Sequence, residues 1–132
     1  MKIYCFGNEF WKADSIVKRL VDDIVNCADV NGIEFIKCNG PDDLGAEKDL
    51  IIMDVVKGID KVMIIDDINQ LKDFDLSNCA GCHDIDLGYW LKLRREIGEL
   101  DSVKIIGVPE LGNLNLIKEK VINQLFKLSK AV

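Results

Sequence analysis

Apolar and polar residues follow two different periods along this chain, and the changes of period outline its elements. The short, mostly apolar run Lys2-Ile-Tyr-Cys-Phe6 ends at Gly7-Asn8 and predicts a buried first strand. Over residues 14–28 the period lengthens. Ile16, Val17, Leu20, Val21, Ile24 and Val25 recur at three- and four-residue spacing, and Lys18, Arg19, Asp22 and Asp23 are assigned to the opposite face of a helix. Ile33-Glu-Phe-Ile-Lys37 partly alternates between Asn31-Gly32 and Asn39-Gly40-Pro41, which suits a strand nearer the edge of a sheet. Asp49-Leu-Ile-Ile-Met-Asp54 is an apolar run closed by an acid and reads as a central strand.

Lys61-Val-Met-Ile-Ile65 predicts the next strand. It follows the previous run after only about seven residues, fewer than the roughly twelve that a parallel crossover needs, so the two strands should run antiparallel. Residues 67–82 form a long polar connection of the kind that is usually functional. A second helix is expected over 83–98, with Leu87, Trp90, Leu91, Leu93 and Ile97 supplying much of its apolar content. Asp101-Ser-Val-Lys-Ile-Ile106 predicts a last strand, Pro109 and Gly112 break the chain, and Leu114, Ile117, Val121, Leu125 and Leu128 mark the stripe of a C-terminal helix. The order β-α-β-β-β-α-β-α predicts one α/β domain over residues 1–132. Its expected form is three-layered: a mixed, mostly parallel, twisted sheet of about five strands with helices on both faces.

Composition narrows the function. The 132 residues are 48% apolar with a net charge of −6, and no Lys/Arg cluster stands out, so a nucleic-acid partner is not expected. No run approaches the ~20 apolar residues of a membrane helix. Met1-Lys2 leads straight into the first strand without a signal-peptide pattern, and a cytoplasmic location is expected. The five cysteines, Cys5, Cys27, Cys38, Cys79 and Cys82, are then expected as thiols, with Cys5 and Cys27 as small core residues.

In open α/β sheets ligands gather at the carboxyl ends of strands, which directs attention to Gly7-Asn8, Asp14, Asp54 and His83. Two carboxylates and the chain's one imidazole make a mixed oxygen/nitrogen donor set suited to nickel or zinc. Each residue also has a plainer role. Asp14 can cap a helix, Asp54 can be a lone acid at the rim of the core, and His83 can be a surface residue at a helix start. Cys79-Ala-Gly-Cys82-His83 matches the haem-attachment pattern Cys-x-x-Cys-His, but that attachment normally follows export, and no haem is expected. A thiol redox role for Cys79 and Cys82 is the remaining alternative for this motif.

Four stretches in order, Cys5-Phe-Gly-Asn8 with Asp14, Asp49-Leu-Ile-Ile-Met-Asp54, His83-Asp-Ile-Asp-Leu-Gly88 and Ile105-Ile-Gly-Val-Pro-Glu110, resemble the hydrogenase maturation endopeptidases, and in particular their short archaeal members. The chain departs from that family's pattern at Ala13, where an acid often stands. It also lacks the glycine usually found shortly after Asp14, and Cys38-Asn-Gly-Pro-Asp-Asp43 replaces a turn rich in Asp and Gly.

The resemblance implies an endopeptidase that removes the C-terminal extension of a [NiFe]-hydrogenase large-subunit precursor after nickel insertion, an F420-reducing hydrogenase being one candidate source. It implies nickel contacts from Asp14, Asp54 and His83, the metal being supplied by the substrate, with Asp54 and Asp14 as the catalytic carboxylates. Gly7, Asn8, Cys38 and Asp42 are the expected substrate contacts, Cys38 being also a possible soft ligand. A non-proteolytic nickel- or precursor-binding chaperone is the alternative.

Overall fold

The apolar run at 50–53 lies in the middle of the sheet, where both faces are covered. The computed structural model describes residues 1–6, 16–27, 32–38, 41–57, 59–66, 75–76, 87–109 and 112–130. Its strands are β1 (Lys2–Phe6), β2 (Glu34–Cys38), β3 (Asp49–Lys57), β4 (Met63–Ile65), β5 (Asp75–Leu76) and β6 (Ser102–Pro109). Its helices are α1 (Ile16–Cys27), α2 (Leu87–Glu96) and α3 (Leu114–Lys130), with a single 3-10 turn at Pro41–Asp43. The strand order is β2-β1-β3-β6-β4, with β5 added antiparallel to the end of β3 at Val56 and Lys57. β1, β2, β3 and β6 are mutually parallel, and β4 is antiparallel to β6. This is the expected α/β architecture, with the 34–38 strand at an edge and the 49–57 strand at the centre.

Strand alternation sorts the core into two layers. Ile3, Cys5, Met53, Val55, Ile106 and Val108 face Val17, Leu20, Val21 and Ile24 of α1 and Ile117, Val121, Leu125 and Leu128 of α3. Tyr4, Phe6, Leu50, Ile52, Val56, Val103 and Ile105 face the other way, toward Leu91 of α2. Helices therefore cover both faces. α3 starts where Asn113 Oδ1 accepts the backbone N–H groups of Asn115 at 2.9 Å and Leu116 at 3.3 Å, satisfying donors left open at a helix start.

Several expectations need correction. β3 and β4 do run in opposite directions, but they are not neighbours: β6 inserts between them and pairs with both. The chain can do this because β4 needs only an edge, and β6 offers one once its other side is matched to β3 over eight residues. β6 runs on to Pro109, three residues beyond the expected end, with Pro109 opposite Val56. The polar connection contains the two-residue β5, while its remaining residues between 67 and 82 lie outside the described ones.

In α1, Val25 is 55% exposed and Lys18 only 3%. These two residues are seven apart, nearly two full turns, so they share an angular position. What separates them is position along the axis: Lys18 lies in the first turn, at the end of the helix that follows the carboxyl end of β1. In α2 Leu91 is buried and Leu93 exposed, and Ile97, just past the helix, is exposed as well.

Leu125→Ala should cost about 2–5 kcal/mol in urea denaturation, because it removes a wholly buried side chain between α3 and the sheet. Val25→Ser, on the exposed side of α1, should stay within about 0.5 kcal/mol.

Candidate functional site

Asp54 was expected to close its strand. Instead β3 continues for three residues past it to Lys57, and Asp54 is 0% exposed within the strand. Alternation along β3 puts Leu50, Ile52, Asp54 and Val56 on the α2 side of the sheet. The register then defines its neighbours. Cys5 opposes Met53, so the next pair along β1 and β3 is Phe6 and Asp54. Phe6 also opposes Cys38, Asp54 opposes Gly107, and Gly107 opposes Met63. One row across the sheet thus reads Cys38, Phe6, Asp54, Gly107, Met63, near the carboxyl ends of the parallel strands.

That row joins parts of the chain far apart in sequence. Phe6 belongs to the first of the four stretches that carry the resemblance, Asp54 closes the second, and Gly107 lies within the fourth. The third, residues 83–88, leads into α2, which covers this same face.

A buried carboxylate requires compensation. Asp54 Oδ1 accepts the N–H of Val55 at 2.8 Å. On its β6 side the neighbour is a glycine. A Cβ at Gly107 would lie 3.0 Å from Val56 Cγ2 and 3.5 Å from both Ile59 Cδ1 and Met63 Cγ, so a side chain there would crowd the row.

Two thiols lie close by. Cys38 and Cys5 are both wholly buried. Cys38 donates to Ile36 O at 3.6 Å and Cys5 to Ile3 O at 3.7 Å. Burial pushes the Cys5 thiol up to about 12, with the neighbouring Cys38 the next cause and Asp54 a smaller one. Burial likewise raises Cys38 to about 12, and Asp43 adds to the rise. A thiol that keeps its proton is a poor soft ligand, because a metal binds the thiolate.

Lys18 opposes both rises, so a buried cation stands within electrostatic reach of this edge. Sequence periodicity assigned it to solvent. The available signal was its place in the first turn of the helix that follows the first strand.

Asp42, in the 3-10 turn after β2, is exposed. Asp14, His83, Gly7 and Asn8 lie outside the described residues, as do Cys79 and Cys82. Among the described residues no three His, Cys, Asp or Glu side chains converge to hold a metal ion. No described helix is long and apolar enough to cross a membrane.

A second feature of the α2 face lies below the row. Tyr4, 3% exposed, donates its hydroxyl to Glu47 Oε2 at 2.5 Å. Burial and this bond to Glu47 raise the Tyr4 phenol to about 12. Gly45 passes so close that a Cβ there would overlap the Glu47 carboxylate and the Tyr4 hydroxyl.

A solved structure of similar fold is that of a hydrogenase 2 maturation peptidase from Thaumarchaeota archaeon SCGC_AB-539-E09. It is 15% identical to this chain, with a TM-score of 0.53 over 98% of this chain and 97% of the other. The chain has the fold of a hydrogenase maturation peptidase. The likeness spans nearly the whole of both chains. No protein-family model matches the sequence, and no curated protein matches it.

The raised acids set a pH dependence. Cys5, Cys38 and Tyr4 hold their protons in the folded state well above the ordinary values of 9.0 and 10.0. Above about pH 9 the unfolded chain releases protons that the folded chain keeps, so stability should fall with rising pH, through to about 12. Urea midpoints measured at pH 7, 9 and 10.5 should decline in that order, and replacing Cys5 and Cys38 by Ala should flatten the decline.

Proposed function

We propose that this protein is an endopeptidase that removes the C-terminal extension of a [NiFe]-hydrogenase large-subunit precursor once nickel is in place. The observation that carries this reading is the wholly buried Asp54, set between Phe6 and Gly107 at the carboxyl edge of a fold shared with a hydrogenase 2 maturation peptidase. A carboxylate held at 0% exposure in the central strand is poorly explained by solubility or by helix capping. It fits a group that must meet a ligand in one fixed position.

In this reading Asp14, Asp54 and His83 are the contacts to the nickel of the substrate. The donor chemistry suits the metal, since two carboxylate oxygens and one imidazole nitrogen are appropriate for a borderline divalent ion. Recognition by coordination makes the enzyme selective: a precursor without nickel offers nothing for the three side chains to bind. Asp54 is proposed as the general base toward the attacking water, because a strand interior paired on both sides fixes its position. Asp14 is the second carboxylate of the pair. Gly7, Asn8 and Asp42 remain the proposed substrate contacts. Cys38 contributes from beneath the surface by packing next to Phe6, since its thiol is buried and neutral.

Purified protein should shorten a nickel-loaded precursor and leave the nickel-free one intact, as read by mass spectrometry. Asp54→Asn, which keeps the shape of the side chain, should lower the cleavage rate by roughly 10²- to 10⁴-fold while remaining folded by circular dichroism. Cleavage at the native rate by Asp54→Asn would remove Asp54 from the mechanism. If the native protein binds the loaded precursor without shortening it, the chain is a chaperone instead. Cys79→Ser with Cys82→Ser should cleave normally, whereas lost cleavage would favour thiol chemistry.

A further inference from the structure

The α2 face carries a cavity of which the nickel-docking reading uses only Asp42. It has a volume of about 490 Å³ and is lined at one side by Asp42, Leu44, Gly45 and Lys48 and at the other by Trp90, Arg94 and Glu99. Topology places its two ends. Asp42 follows the carboxyl end of β2 by four residues, beside the edge that holds Cys38 and Asp54. Lys48 and Glu99 lie just ahead of β3 and β6, where Lys48 O accepts the N–H groups of Asp101 and Ser102. The cavity therefore lies between the 42–48 segment and α2 with the residues that follow it.

Its inner wall is rich in hydrogen-bond donors. Trp90 Nε1 is buried and finds no acceptor. Arg94 is 8% exposed and donates from one guanidinium nitrogen to Glu47 O at 3.3 Å. A guanidinium carries five N–H groups, and that is its one hydrogen bond among the described residues. A buried donor without a partner is unfavourable, by more than a typical hydrogen bond contributes, so the wall favours a ligand that brings acceptors. The outer rim has the opposite character. Asp42 and Glu99 are exposed acids that outnumber the exposed cation Lys48, and the two acids favour a cationic side chain. Backbone carbonyls flanked by basic side chains satisfy both conditions.

We propose that this cavity seats an extended, basic peptide segment, which is the precursor's C-terminal extension if the peptidase reading holds. Its carbonyl oxygens accept from Trp90 Nε1 and the Arg94 guanidinium, and its basic side chains meet Asp42 and Glu99. The proposal rests on the peptidase reading only for the source of the peptide.

The test uses the full-length protein labelled with nitrogen-15 and the blocked probe N-acetyl-Ala-Lys-Ala-Val-Lys-Ala-amide. The chain has two tryptophans, and the indole N–H resonance missing from Trp90→Phe identifies Trp90. That resonance should move downfield saturably as probe is added to about 5 mM, the range expected for a short unconstrained peptide. By calorimetry, Trp90→Phe should weaken probe binding about fivefold, the loss of one hydrogen bond. The fold-neutral pair Asp42→Asn with Glu99→Gln should weaken it about two- to fivefold, as for exposed ion pairs. Replacing both probe lysines by glutamate should weaken binding further. No movement of the Trp90 resonance, or the same movement with sodium acetate alone, would overturn the proposal.

Asp54→Asn protein should bind the probe as well as the native protein does, so the groove is tested without cleavage. Probe binding without precursor shortening would leave the groove standing and remove the peptidase reading. Precursor shortened at unchanged kcat/KM by both Trp90→Phe and the Asp42/Glu99 pair would do the reverse.

Discussion

The structure depends on a carboxylate placed in the middle of an apolar sheet. Moving a charged oxygen pair out of water is unfavourable by several kcal/mol in a real protein, and nothing in hydrophobic packing repays it. Asp54 is held there by the parallel pairing of β3 to β1 and β6, which fixes the backbone on both sides. The Val55 N–H donates to it, and the glycine opposite it in β6 spares a close contact with Val56. A one-residue slip in β3 would exchange its two faces and aim Asp54 at α1 and α3.

The rest of the core is organised so that this arrangement can persist. β6 pairs with β3 over eight residues, more than any other strand pair among the described residues. α1 and α3 close one face with long aliphatic side chains. The α2 face is more sparsely filled by its helix, and much of its cover comes from the 41–48 segment. The Tyr4–Glu47 bond ties that segment to β1, and Gly45 permits the close approach. The two faces thus differ in kind: one is a conventional core, and the other carries the buried acid, the neutral thiol of Cys38 and the donor-lined groove. Polar groups with functional potential collect on the side that packing leaves less complete.

Electrostatics at the carboxyl edge follow from the same placement. Cys5 and Cys38 are too buried to ionise near neutral pH, and Asp43 and Asp54 reinforce that. Lys18 provides a nearby buried positive charge of opposite effect. An edge that holds fixed charges with little water preserves their interactions far better than a solvated surface would.

The sequence by itself determined the element order apart from the two-residue β5, the α/β class, the edge place of the 34–38 strand and the centrality of the 49–57 strand. These follow from hydrophobic period and from the length of connections, both of which are local properties. It also singled out Asp54, because an acid after four apolar residues stands out in any linear reading. Tertiary structure alone decided that Asp54 lies inside its strand and not at the end of it, that β6 separates β3 from β4, and that Lys18 is buried while Val25 is exposed. It alone brought Phe6 and Gly107 to either side of Asp54, and Trp90 and Arg94 opposite the 41–48 segment. Register, strand insertion and depth along a helix axis are set by pairing partners distant in the chain, and no local pattern encodes them.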